Sequence, residues 1–174
     1  MSELNGKRVL IFVEEYYEDL ELWYPKIRLE EAGAEVLVAG PQTGKVYKGK
    51  NGYPCTADIT IDAVDHTTFD ALVLCGGWAP DKLRRDARVL EITKAMHDSG
   101  KPIAHICHAG WVPISAGIMK GIRCTSVNAI RDDLQNAGAE WVDQAVVVDK
   151  NHITSRTPKD LAPFCLAIIE MMKS

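Results

Sequence analysis

The sequence predicts one α/β domain, a single doubly wound, mostly parallel sheet with helices on both faces. Two observations carry this. Short apolar runs, too brief to be helices, alternate along the chain with longer amphipathic stretches, so strands and helices take turns. Most of those runs are rich in Val, Ile and Leu without a polar face, as expected of strands covered on both sides. A chain of 174 residues, 47% hydrophobic and 25% charged, has the size and composition of one ordinary globular domain. With no linker, low-complexity tract or internal repeat in it, residues 1–174 are read as a single domain.

The strand runs are 8–13, 35–39, 71–75, 102–106 and 145–149. After the first run, Leu20, Trp23, Tyr24 and Ile27 recur at helical spacing, and Gly33 is placed to end that helix. Between Gly40 and Ile61, Pro41, Gly44, Gly49, Asn51-Gly52 and Pro54 punctuate short Tyr/Val/Thr segments, which predicts a small hairpin excursion. The last helix carries one stripe, Leu161, Phe164, Cys165, Ile168, Ile169 and Met172. Thr157 is its expected N-cap, with Pro158 in the first turn and Asp160 in a capping-box-like position.

Composition narrows the function. The net charge is −4 with both signs interleaved, so no basic face is expected for a phosphate backbone, and nucleic acid is not an expected partner. No apolar run reaches the roughly 18 residues of a membrane span. The first residues lead into a strand without the apolar stretch of an export signal, so a cytoplasmic protein is expected. The five cysteines lack a Cys-x-x-Cys pair, and each is read as free.

Ligands on doubly wound sheets bind beyond the carboxyl ends of the strands, which directs attention to three turns. After Ile106 comes Cys107-His108-Ala109-Gly110, then a helix-compatible stretch. A strand that delivers a cysteine to a tight turn at a helix start is a nucleophile's setting, because free N–H groups and the dipole stabilise a thiolate. His108 is a candidate general base or oxyanion donor. His105, two residues upstream, is read as packed beneath the turn, and His66, His97 and His152 as surface residues. His105-x-Cys107-His108 lacks further ligands at recognisable spacing, so no metal is expected. Cys55, Cys75, Cys124 and Cys165 are read as filler.

The first turn reads Glu14-Glu15-Tyr16-Tyr17-Glu18-Asp19-Leu20-Glu21. Acidic residues in a helix's first turn complement its dipole, yet one carboxyl from here can approach the Cys107 sulfur, and spacing does not choose among them. The third turn, Cys75-Gly76-Gly77-Trp78-Ala79-Pro80-Asp81, offers Gly76 and Gly77 as backbone donors to a reacting oxygen, with Trp78 beside them as a substrate-binding candidate.

These residues resemble the ThiJ/PfpI family, and specifically its PfpI-type intracellular cysteine peptidase branch within the class I glutamine-amidotransferase-like superfamily. The marks are Tyr17-Glu18-Asp19-Leu20-Glu21-Leu22 before Tyr24-Pro25, Gly49-Lys50-Asn51-Gly52-Tyr53, Phe69-Asp70-Ala71-Leu72-Val73-Leu74 before Gly76-Gly77, Ile106-Cys107-His108, and Thr154-Ser155-Arg156. The resemblance implies Cys107 as nucleophile, Glu18 as the carboxyl sharing a proton with its sulfur, and His108 as the adjacent catalytic histidine. It further implies that Asp81 completes the site of a neighbouring subunit in a homo-oligomer, a dimer or a hexamer of dimers. Trp78, His105 and Ala109 depart from the residues usual at those positions, which alters the pocket more than the nucleophile.

The expected function is a cysteine-dependent enzyme without a cofactor, acting on a peptide or amide carbonyl or on a 2-oxoaldehyde. That covers an intracellular peptidase or a glyoxalase/deglycase in stress protection. The alternative is a redox-sensing protein in which Cys107 is oxidised with little turnover.

Overall fold

The computed structural model describes residues 3–173. Strand β1 (Arg8–Phe12) leads into α1 (Asp19–Glu31), and β2 (Glu35–Gly40) returns beside β1. An excursion follows: β3 (Val46–Lys48) and β4 (Pro54–Thr56) form a separate antiparallel hairpin, and β5 (Ile59–Thr60) rejoins the sheet edge. Next come β6 (Ala71–Leu74), α2 (Ala79–Leu83), α3 (Ala87–Asp98) and β7 (Ile103–Ile106). The short α4 (Trp111–Ser115) precedes a satellite layer of β8 (Arg123–Cys124), α5 (Arg131–Asn136) and β9 (Glu140–Trp141). Finally β10 (Val146–Asp149), β11 (His152–Ser155) and α6 (Leu161–Lys173) complete the chain.

The main sheet has seven strands in the order β10-β11-β7-β6-β1-β2-β5, all parallel except β10. The expected mostly parallel α/β architecture is the one found. The central strands are buried along their length because helices cover both faces, which is why their sequences lack alternation. The strand order reverses between β1 and β6, so the turns after β1 and β6 open on one crevice with the turn after β7 beside it.

The structure departs from the sequence reading in four places. The stripe Leu20, Tyr24 and Ile27 faces outward, each at least 39% exposed, while the inner face of α1 carries Glu21, Leu22, Pro25 and Leu29. Two periodic faces overlapped, and the inner one is interrupted by a carboxyl and a proline. The run 145–149 supplies the antiparallel edge β10, whereas the buried parallel neighbour of β7 is β11, whose polar-looking His-Ile-Thr-Ser sequence hid it. His152 is consequently fully buried and His97 half-buried instead of lying on the surface. At the last helix Thr157 occupies the N-cap position without a side-chain cap bond, and Asp160 pairs with Arg156 at 2.8 Å in place of a capping box.

Gly77 is the tightest backbone position in the crevice. It has φ +79°, and a Cβ there would lie 2.5 Å from the Glu18 nitrogen and the Tyr16 oxygen. An isolated bridge pairs it with Tyr17. Gly6 has the same left-handed φ of +80° with nothing within 4 Å of a built Cβ. Gly6→Ala is therefore expected to cost about 1 kcal/mol, the left-handed penalty alone, and Gly77→Ala at least 1–2 kcal/mol more. Urea unfolding of the two variants checks this, and equal losses would show that the crowding at Gly77 is relieved without cost.

Candidate active site

Four chain segments are laced together at the crevice by backbone bonds. Glu18 N–H donates to Gly76 C=O at 3.0 Å, Trp78 N–H to Tyr16 C=O at 2.8 Å, and Lys50 N–H to Tyr17 C=O at 2.8 Å. The Asp19 carboxylate takes the N–H groups of Asn51 and Tyr53 at 2.9 Å each, which holds the hairpin loop against the start of α1. The Tyr17 hydroxyl donates to Tyr53 C=O. The three turns singled out in the sequence do converge, and the hairpin excursion forms the fourth wall.

Cys107 follows β7 with φ +61°, a left-handed conformation that costs a non-glycine residue on the order of 1 kcal/mol and re-aims its side chain off the end of the strand. His108 Nδ1 lies 3.3 Å from Cys107 Sγ, and the backbone N–H groups of His108 and Gly77 donate to that sulfur. The expected helix start is instead a 3₁₀ turn, Cys107–Gly110, before the five-residue α4. So short a helix has little macrodipole, and the polarity at the sulfur comes from individual N–H groups.

The carboxyl at the sulfur is Glu21, not Glu18. Glu18 is the N-cap of α1, and its Oε2 accepts the Glu21 N–H at 2.9 Å, so that carboxylate serves the helix end. Glu21, one turn further, is fully buried on the inner face; its Oε2 accepts the Gly76 N–H at 2.8 Å, and its carboxyl hydrogen-bonds the Cys107 side chain. Glu21 Oε1 is a buried oxygen with no other partner among the described residues, which leaves the thiol as the group that can satisfy it. A signal for this was present: Glu21, Pro25 and Leu29 are four apart and share one face, whereas Glu18 precedes the helix. Gly76 is the spacer between them, since a Cβ there would meet both Glu21 Oε2 and Cys107 Cβ.

Burial dominates the electrostatics. It pushes Glu21 up to about 8, helped by the charge of Glu18, and pushes the Cys107 thiol up to about 12, helped by the charge of Glu21 and opposed by the two N–H groups. Burial lowers His108, as does the charge of Lys50. Burial opposes charge on both members of the Glu21–Cys107 pair, and beside them it favours an imidazole that is neutral and able to accept a proton.

The remaining candidates lie around the mouth. Trp78 is 63% exposed at the N-cap of α2, on the rim. The Asp81 carboxylate pairs with Arg85, just past the end of α2, at 3.0 Å and is exposed. The sequence reading missed Trp111, whose ring packs on His108 at a centroid distance of 5.2 Å while its Nε1 donates to Asp133 at 2.8 Å. Arg84 stacks on the other side of that ring system. This support orients His108 from the satellite layer.

A raised folded-state pKa makes Glu21 a pH-dependent element. Above its unfolded value near 4.5 the unfolded chain loses the proton while the folded chain keeps it until about 8, so stability falls as pH rises across that window. Glu21→Gln keeps an acceptor for Gly76 N–H and cannot ionise. Relative to this variant, the wild-type chain is expected to lose stability by on the order of a few kcal/mol between pH 5 and 8 in urea titrations. Glu18→Gln should keep the part of that slope that burial causes and lose the part that the Glu18 charge adds. A pH-independent difference between wild type and Glu21→Gln would refute the assignment.

Comparison with known proteins identifies the family. The DJ-1/PfpI family profile matches residues 7–171. The chain is 48% identical over 166 residues to Deglycase TK1284 of Thermococcus kodakarensis and 45% identical over 166 residues to Deglycase PfpI of Pyrococcus furiosus, covering in each case 95% of this chain and 99% of the relative. Among solved structures, a two-domain protein of Anabaena variabilis with DJ-1/ThiJ/PfpI-like and ferritin-like domains superposes with a TM-score of 0.94 at 40% identity, over 96% of this chain. This chain spans 48% of that protein, about half its length. Profile, relatives and superposition all extend over nearly the whole chain, and the protein is a member of the DJ-1/PfpI family.

Proposed function

We propose that the protein is a cysteine-dependent, cofactor-independent enzyme acting on the carbonyl of a small or partly exposed substrate, with Cys107 as nucleophile. The observation that supports it most is the grouping at one sulfur of an imidazole nitrogen at 3.3 Å, two backbone N–H donors and a buried carboxyl. A neutral thiol is a poor nucleophile by itself, so the reading requires a base, and His108 Nδ1 is in reach.

As Sγ bonds to the carbonyl carbon, the thiol proton passes to His108 Nδ1 and the carbonyl π pair moves to oxygen. The Gly77 and His108 N–H groups then turn from the sulfur to the oxyanion, and Trp78 at the rim borders the substrate. Glu21, protonated, donates to the sulfur when it carries charge. With an amide, His108 returns the proton to the leaving nitrogen and water hydrolyses the thioester. With a 2-oxoaldehyde, the adduct is a hemithioacetal; its carbon-bound proton moves through an enediol to the neighbouring carbon, and water releases the hydroxy acid from the resulting thioester. Relatives named deglycases support the small-carbonyl arm, and one named a putative cysteine protease supports the peptidase arm.

Asp81 enters the reading as a residue supplied by a second copy. It is exposed, paired with Arg85 just past its helix, and a homodimer or larger homo-oligomer would bring it toward a neighbour's His108. The redox-sensing alternative is the weaker one, because peroxide reacts with the thiolate and burial holds this thiol protonated.

Turnover of methylglyoxal and of fluorogenic peptides is the test. Cys107→Ser is expected to abolish whichever activity is found, and His108→Ala to lower kcat by roughly 10²–10⁴-fold, the range for loss of a general base. Full turnover by Cys107→Ser would sink the assignment. The iodoacetamide labelling rate of Cys107 should keep rising with pH through pH 9; a plateau below pH 7 would mean a thiolate at rest and a different division of labour.

A further inference from the structure

Three histidines that play no part in the proposed chemistry line up behind the sheet. His97 sits in the last turn of α3, His152 is the first residue of β11, and His105 is the third residue of β7. His97 Nδ1 lies 3.0 Å from His152 Nε2, and His152 Nδ1 lies 3.4 Å from His105 Nε2. The ring centroids are 5.0 and 5.6 Å apart. Parallel register pairs His152 with Ile103 and Thr154 with His105, which sets both histidines on the face that α3 covers. His152 is 0% and His105 1% exposed, so only the outer ring reaches water. The rings are strung in a line and not around a point, and among the described residues no group of three His, Cys, Asp or Glu is placed to hold a metal.

We propose that His97, His152 and His105 form an imidazole ladder that ties the end of α3 to the β7–β11 pair at neutral pH and is released by acid. The argument is a proton count. Each N···N contact needs one proton, no more and no fewer. Three neutral rings carry three protons: two fill the contacts and the third sits on an outermost nitrogen, either His97 Nε2 or His105 Nδ1. A fourth proton occupies the other end and keeps both contacts. A fifth places two N–H groups face to face, and a rung breaks.

The surroundings resist those extra protons. His105 faces no charged group other than what His152 acquires, and burial holds it well below its ordinary value. His152 is held at about 4 by burial and by His97, with Asp149 of β10 pulling up and Lys150 of the β10–β11 turn pushing down. His97 is lowered by burial, with Asp98 opposing and Lys94 and Lys150 assisting. Asn151 Nδ2 donates to His97 C=O at 3.1 Å and Lys101 C=O at 2.8 Å, so the same turn is stapled to the end of α3 and to the segment between α3 and β7. All three folded pKa values lie below the unfolded value near 6.5. The unfolded chain therefore takes up protons that the fold refuses, and stability is lost as pH falls through about 6.5 toward 4. His105 is two residues before Cys107 on one strand, so the loss falls on the element that delivers the nucleophile.

The test is histidine-selective ¹⁵N NMR of the full chain from pH 8 to 4.5, with urea unfolding at pH 7.5 and 5.0. Expected are fixed neutral tautomers for His105 and His152 down to pH 5 and, in a Glu21→Gln background that removes the opposing carboxyl response, an unfolding constant that rises roughly thirtyfold per buried ring between the two pH values. The pair His105→Leu with His152→Leu should lose that share of the rise, and His66→Gln, outside the ladder, should keep it. Protonation of His105 or His152 near pH 6.5 in the folded chain, or an unaltered pH response in the double variant, would overturn the ladder. If the double variant does not fold, the wild-type titration decides alone. None of these readouts uses catalysis, so failure of the proposed enzyme chemistry would leave them standing.

Discussion

One buried carboxyl organises the crevice. Glu21 comes from the first turn of α1, accepts the Gly76 N–H from the turn after β6, and reaches the Cys107 sulfur after β7. Three elements distant in sequence are thereby referenced to a single side chain. Burying a carboxyl without full partners is costly, and keeping the proton is the cheapest way to lower that cost. Gly76 makes the arrangement possible, because any side chain there would occupy the space between Glu21 and Cys107. Pro25, one turn along the same face, has no N–H to give the Glu21 carbonyl, so the helix is locally relaxed where this side chain must be placed.

That constraint shapes the chemistry. Burial and the charge of Glu21 oppose an anion at the sulfur, and the backbone N–H groups of His108 and Gly77 favour one. In the proposed reaction its reactivity would come from the adjacent imidazole and from N–H groups already aimed at the sulfur. The satellite layer contributes here: Trp111, fixed by Asp133, limits the positions open to the His108 ring. Strain at Cys107, with its left-handed φ, and crowding at Gly77 sit on opposite sides of the same sulfur. Neither would persist without the backbone lacing of the turns around it.

Strand β7 serves two sites. Its end carries Cys107 into the crevice, and His105, facing the α3 side of the sheet, joins the histidine ladder. The turn between β10 and β11, with Asn151 and Lys150, closes over the outer part of that ladder. Support for the nucleophile strand thus comes from carboxyl chemistry at one end and imidazole chemistry on one face, with opposite responses to pH: Glu21 favours the fold at low pH and the histidines favour it at neutral pH.

Much of this was legible in the residues themselves. Unalternated apolar runs specify strands buried on both faces whatever their neighbours, so the doubly wound class followed, and glycine pairs and a strand-borne cysteine mark turns because backbone geometry demands them locally. What the sequence by itself determined is therefore the class of fold, the three turns and the identity of Cys107, His108, Gly76 and Gly77 as the groups gathered there. The tertiary structure alone decided which carboxyl meets the sulfur, which face of α1 is inward, that His97 and His152 are drawn into the interior, and that the thiol is raised instead of depressed. Those are questions of distance and desolvation between segments far apart in the chain, and local periodicity contains no information about either.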